Sequence, residues 1–190
     1  MNIKNTVIDQ TRDNENLFHN KSQTMGSSTS KIAQTPRKGM VSFYSLAATK
    51  GDGTIQAMDE FRGKVVYATN VASKWGATNR EYAQFLKLHE KFGDKLVIFG
   101  FPSREYGWQE YDTDEAIAEF AEKKNFPGIM MKLGKIKGDS APEVWKFFKD
   151  ETGAPDPLWN FKGKFLVSKT GDVSVPTDLE ADIERLVNED

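Results

Sequence analysis

Two near-continuous apolar runs limit what this chain can fold into. Lys64-Val-Val-Tyr-Ala-Thr-Asn70 and Leu96-Val-Ile-Phe-Gly-Phe101 are dominated by β-branched and aromatic residues with little polar alternation, the pattern of strands covered on both faces. Between them, from Thr78 to Phe92, Tyr82, Phe85, Leu86, His89 and Phe92 recur at helical spacing and form one predicted face that packs back on the sheet. Pro102 ends the second strand, because it has no N–H to give to a ladder. Strand, helix and strand in that order place the chain in the α/β class.

The remaining elements follow from turn and capping chemistry. Residues 41–44 and 54–57 flank Lys50-Gly-Asp-Gly53 and are predicted to form an N-terminal hairpin. Asp112-Thr-Asp-Glu115 and Ser140-Ala-Pro-Glu143 have the spacing of capping boxes, opening helices that run to about Lys124 and Asp150. Phe165-Leu-Val167 and Val173-Ser-Val175 around Thr170-Gly171 read as a second hairpin. Thr177-Asp-Leu-Glu180 then caps a last helix that carries Ile183, Leu186 and Val187.

Composition removes several classes of function. The 190 residues carry a formal net charge of -2, so no basic field points to nucleic acid or an anionic membrane. No apolar run is long enough to span a bilayer. Without cysteine, and with only His19 and His89, neither a disulfide scaffold nor a thiolate or imidazole-rich metal site is expected, and no prosthetic cofactor is implied. Residues 1–38 are rich in Asn, Ser, Thr, Lys and Gln and are predicted to be a disordered leader or tail, with one folded domain over residues 39–190. A cytoplasmic location is expected, organelle import through the leader being the alternative.

Four blocks in fixed order carry a resemblance. They are Asn70-Val-Ala-Ser-Lys-Trp75-Gly-Ala-Thr-Asn79, Gly100-Phe-Pro-Ser103, Gly107-Trp-Gln109-Glu110, and Trp159-Asn160-Phe161 running into Lys164-Phe-Leu-Val167. Over roughly residues 41–187 the chain resembles the glutathione peroxidase family, nearest to its monomeric, phospholipid-hydroperoxide type. The resemblance implies a thioredoxin-like fold with a central mixed sheet flanked by helices. It also implies hydroperoxide reduction with glutathione as co-substrate, in response to oxidative stress. It assigns Trp75 to the position of the peroxidatic selenocysteine or cysteine, with Gln109, Trp159 and Asn160 as the groups that assist it.

That chemistry needs a soft anionic nucleophile to attack one oxygen of the O–O bond while a donor protonates the other. A corner between a buried strand and a helix N-terminus favours the anion. Amide and indole N–H groups donate to it without competing for its charge. The indole of Trp75 has no ionisable proton at neutral pH and no available nucleophilic lone pair, so the chain as written is not expected to turn over peroxide. Two readings stand. In one, residue 75 is a selenocysteine whose UGA codon was read as Trp, which also accounts for the lack of a resolving cysteine. In the other, Trp75 is genuine and the protein is an inert pseudoperoxidase acting as a structural or interaction protein.

Ser103 stands where many relatives have another cysteine, and Glu122 lies near the position of the resolving cysteine. Arg104-Glu-Tyr106 departs from the family's Asn-Gln-Phe. Trp145 reads as core, and the Lys-rich stretch from Lys132 to Lys137 as a solvated loop.

Overall fold

The computed structural model describes residues 41–189. The expected leader over residues 1–38 lies outside the described residues.

Strand β3 (Val65–Val71) is buried along its whole length and sits at the centre of a five-stranded sheet. It pairs in parallel with β4 (Leu96–Pro102), with Tyr67 opposite Ile98, and antiparallel with β6 (Lys164–Val167). β5 (Ile129–Met130) adds in parallel outside β4, and β7 (Val173–Ser174) pairs antiparallel with β6, so the sheet is mixed, in the order β5-β4-β3-β6-β7. A separate antiparallel pair, β1 (Ala47–Thr49) and β2 (Ile55–Ala57), precedes it.

Side chains of β3 and β4 alternate between two cores, as a pleated strand requires. Val66, Ala68, Phe99 and Phe101 join one core with Trp145 and Phe148 of α3 (Glu143–Thr152). Val65, Tyr67 and Ile98 join the other with Tyr82, Phe85 and Leu88 of α1 (Thr78–Phe92) and Ile183 and Leu186 of α4 (Leu179–Asn188). Aromatic rings supply much of this area. Trp145 meets Phe101 at 5.0 Å and the edge of Phe165 at 5.2 Å, and is fully buried as expected.

The structure moves several predicted features. Residues 43–45 form a 3-10 turn rather than a strand. Ser42 accepts from the Tyr44 N–H at 3.3 Å, and Phe43 and Tyr44 turn inward, Phe43 onto Phe148. The hairpin therefore starts later, in the unremarkable Ala47-Ala-Thr49. On α1 the buried line is Tyr82, Phe85, Leu88 and Phe92, while Leu86 and His89 are exposed. The helix axis centres on Phe85 and Leu88, which rotates the other two out of the stripe.

Two capping positions shift by one residue. Thr113 caps α2 (Asp114–Lys123) by accepting from Ala116, and Asp178 caps α4 by accepting from Ala181. The box at Ser140 does not form. That residue ends a 3-10 turn, and Pro142 occupies the cap position, where its fixed φ starts α3 with no side-chain bond. β5 had no sequence signal, since two residues are too few to show a period.

Gly163 lies where β6 begins, against the Trp145 ring. A Cβ there would sit 2.6 Å from the Pro157 ring and 2.8 Å from the Trp145 indole. Gly163→Ala is expected to destabilise the fold by about 1–3 kcal/mol through overpacking. Chemical denaturation measures this, and a change below about 0.5 kcal/mol would contradict the packing described.

Candidate active site

The carboxyl end of β3 turns directly into α1, and the corner is closed by short-range bonds. The Thr78 hydroxyl donates to the Ala72 carbonyl at 2.5 Å, and the Thr78 N–H donates to the Trp75 carbonyl at 3.0 Å. Ala77 caps α1 without a side-chain acceptor, so no side chain there claims the first-turn N–H groups and the positive end of the helix. Trp75 stands half-buried on this corner.

Asn70 brings the second segment in. Its Nδ2 donates to the Trp159 carbonyl at 2.9 Å, its Oδ1 accepts from the Gly163 N–H at 2.8 Å, and its own carbonyl accepts from the Phe161 N–H at 2.9 Å. Phe161 is held at a φ of 58° and stacks on Trp75, ring centroids 5.6 Å apart. Asn160, on the same turn, is fully buried. Its Nδ2 donates to Gln109 Oε1 at 2.7 Å.

The third segment is the loop after β4. The Gln109 carbonyl accepts from the Lys74 N–H at 2.8 Å, which fastens the loop beside residue 75. Because Oε1 of Gln109 accepts from Asn160, its NH2 group is left as a donor, and among the described residues it has no acceptor. The structure thus brings Gln109 and Asn160 into direct contact and places both next to the corner. Trp159 joins through its backbone, its ring 40% exposed and 5.8 Å from the Tyr106 ring.

Sequence reasoning assigned no role to Asn70, Phe161 or Glu110, although each lies inside a quoted block. Glu110 is fully buried. Its Oε1 accepts from the Ser73 N–H at 3.1 Å and the Tyr111 N–H at 2.8 Å. Its Oε2, the Ser73 hydroxyl and the Tyr82 hydroxyl are buried without a partner of ordinary geometry. Burial raises the Glu110 carboxyl above the usual range, against the Ser73 and Tyr111 donors and the charge of Lys74. Tyr82 is raised by burial and by Glu110.

Ser103 is buried, its hydroxyl accepting from the Glu105 N–H at 3.3 Å, and Glu122 is exposed on α2. Lys132 and Lys135 are exposed, whereas Lys137 lies over the Tyr106 ring at 4.2 Å. Among the described residues no group of three or more His, Cys, Asp or Glu is placed to hold a metal ion, and no helix is long and apolar enough to cross a membrane.

A central mixed sheet with a strand-to-helix corner at its carboxyl edge defines a thioredoxin-like protein. The solved apo form of Trgpx has this fold, with a TM-score of 0.59 at 24% identity over 79% of this chain and 97% of its own. So has the thioredoxin domain of a thiol-disulfide oxidoreductase from Bacteroides vulgatus, with a TM-score of 0.52 at 18% identity over 75% of this chain and 93% of its own. The glutathione peroxidase profile matches residues 43–149. The glutathione peroxidase-like peroxiredoxin gpx1 of Schizosaccharomyces pombe is 36% identical over 162 residues, 78% of this chain and all of that protein. The phospholipid hydroperoxide glutathione peroxidase of Rattus norvegicus is 36% identical over 136 residues, 68% of each chain. The chain belongs to the glutathione peroxidase family.

Two measurements test the site's construction. Asn70→Ala leaves the Gly163 N–H and the Trp159 carbonyl without their side-chain partner and is expected to cost about 2–4 kcal/mol in denaturant unfolding. A loss under about 1 kcal/mol would contradict the role given to Asn70. The second concerns Glu110. Its folded pKa is raised, so the folded state holds the proton more tightly than the unfolded chain, and stability falls as pH rises from the unfolded value toward the folded one. Glu110→Gln removes that slope. Relative to the parent, the variant is expected to gain stability as pH rises above the unfolded carboxyl's value of about 4.3; a difference independent of pH would contradict the raised carboxyl.

Proposed function

We propose that residues 39–190 form a domain that reduces hydroperoxides with glutathione, with selenocysteine as the intended residue 75. In this reading the selenolate attacks one oxygen of the O–O bond. The bond breaks toward the other oxygen, which takes a proton and leaves as an alcohol or water. A first glutathione thiol then displaces the selenium-bound oxygen as water and forms a selenium–sulfur bond. A second attacks that bond, giving glutathione disulfide and restoring the selenolate.

Gln109 and Trp159 are the N–H donors to selenium, and Asn160 is the residue that sets Gln109. The observation that supports this reading is the 2.7 Å bond from Asn160 to Gln109, which occupies Oε1 and leaves the Gln109 NH2 group as a donor without an acceptor among the described residues. The reductant is assigned as glutathione because a chain without cysteine has no second thiol with which to form the internal disulfide that a thioredoxin reduces. The protein is proposed to act as a monomer, since the segment between α3 and β6 is short, and to reside in the cytoplasm. Organelle import is the alternative; a relative in Arabidopsis thaliana, 35% identical, is named as mitochondrial.

One observation favours the second reading, an inert member of the family. The Trp75 ring finds a partner in Phe161, so the corner accepts an indole by stacking.

The readings separate on the native protein. Peptide mass spectrometry of material from its own source is expected to find selenium at residue 75, and tryptophan there would contradict the enzymatic reading. Protein made with selenocysteine at residue 75 is expected to consume peroxide in a glutathione-coupled assay, while the Trp75 form does not. In the selenocysteine form Gln109→Ala is expected to lower kcat/KM by about 10- to 100-fold.

A further inference from the structure

Arg104-Glu-Tyr106, which departs from the family motif, and the neighbouring Trp108 have no part in the chemistry proposed for residue 75. They nevertheless build something. Arg104, Glu105 and Trp108 face Leu133, Gly134 and Lys135 across an open, mainly apolar cavity of about 430 Å³, within the size range of small-molecule sites.

Glu105 fixes the two walls. Its Oε2 accepts from the Ile136 N–H at 2.7 Å and the Lys137 N–H at 3.0 Å, and lies 3.4 Å from the Ser103 hydroxyl. Backbone donors therefore answer its charge. Tyr106 anchors the same loop through its hydroxyl, which donates to the Pro157 carbonyl. The cations are left over: among the described residues neither Arg104 nor Lys135 has an ion-pair partner within 4 Å, and Arg104 Nε is buried without a hydrogen bond.

Trp108 is the second anomaly. It is 70% exposed and stands at a φ of 56°, a left-handed backbone that is strained for a bulky residue. Its ring is covered on one side by the Arg104 guanidinium at 4.7 Å. A large aromatic ring held toward solvent on strained backbone adds little to the core. Beside an unpaired guanidinium it makes an apolar platform next to a planar fork of N–H donors, which matches a carboxylate.

We propose that the cavity between the 104–108 and 133–135 loops binds an amphipathic carboxylate, its anionic end held by Arg104 and Lys135 and its hydrocarbon part laid on Trp108 and Leu133. The site needs no chemistry at residue 75 and stands whether or not that residue is selenocysteine.

Calorimetric titration of the full Trp75 chain with octanoate and octanol tests this directly. Octanoate is expected to bind about tenfold or more tightly than octanol, the worth of a charge-assisted pair. Arg104→Gln is expected to bring octanoate down to the level of octanol, and Trp108→Ala to weaken both. Lys135→Gln, an exposed change that leaves the fold intact, is expected to weaken octanoate alone and decides the matter if Arg104→Gln fails to fold. Octanoate binding no tighter than octanol overturns the proposal. So does an octanoate affinity unchanged by either charge-removing substitution in a folded protein.

Discussion

Asn70 ties the sheet to the rest of the site. It sits fully buried near the end of the central strand, and a carboxamide is the side-chain group that can both donate to the Trp159 carbonyl and accept from the Gly163 N–H. An Asp would lose the donor and a Leu both bonds. From this point the bonds run in a ring. The turn held by Asn70 carries Asn160, Asn160 holds the Gln109 side chain, and the Gln109 carbonyl takes the Lys74 N–H next to Trp75. Hydrogen bonds out of water polarise and rigidify one another. Three segments far apart in sequence are therefore fixed around one corner by groups that have little freedom to rearrange.

Most of the sheet was legible because its central strands are unambiguous. Val65–Val71 and Leu96–Pro102 are apolar on both faces, and α1 begins and ends where its periodicity does. Legibility failed where two physical causes compete. Phe43 and Tyr44 have strong strand propensity, yet their burial against Phe148 and Arg62 is worth more than a ladder, so they turn. Thr113 lies beside Asp112 and Asp178 beside Thr177, and sequence cannot decide which of two adjacent cap formers takes the position.

The site was legible as ordered blocks but not as bonds. Asn70 reads as the polar end of a strand, and Glu110 as one more loop acid. What distinguishes them is a partner 93 residues away in the first case and 37 in the second, separations that no local pattern encodes. Phe161 carries no signal at all, since nothing in a Trp-Asn-Phe run announces a positive φ. The same limit hid the cavity near Arg104, whose two walls are tied by Glu105 to N–H groups 31 and 32 residues away.

The corner combines two departures from the usual rules of helix capping and buried polar pairing. Unlike α2 and α4, α1 has no side-chain acceptor at its N-cap. Beneath it Glu110, Ser73 and Tyr82 bury polar atoms without ordinary partners. Departures of this kind concentrate where function outranks stability. They coincide here with a helix N-terminus, where an anion gains from the positive end of the helix and where burial disfavours a charged Glu110.

The claim that this corner is built to stabilise an anion on residue 75 is open to a direct test, because the chain has no other thiol. Trp75→Cys introduces a single sulfur, and the pH dependence of its alkylation rate gives the thiol pKa. The account predicts a value at least about one unit below the ordinary 8.5 of a free cysteine. A thiol titrating at or above that value would show that the corner lends an anion no support, and would contradict the account.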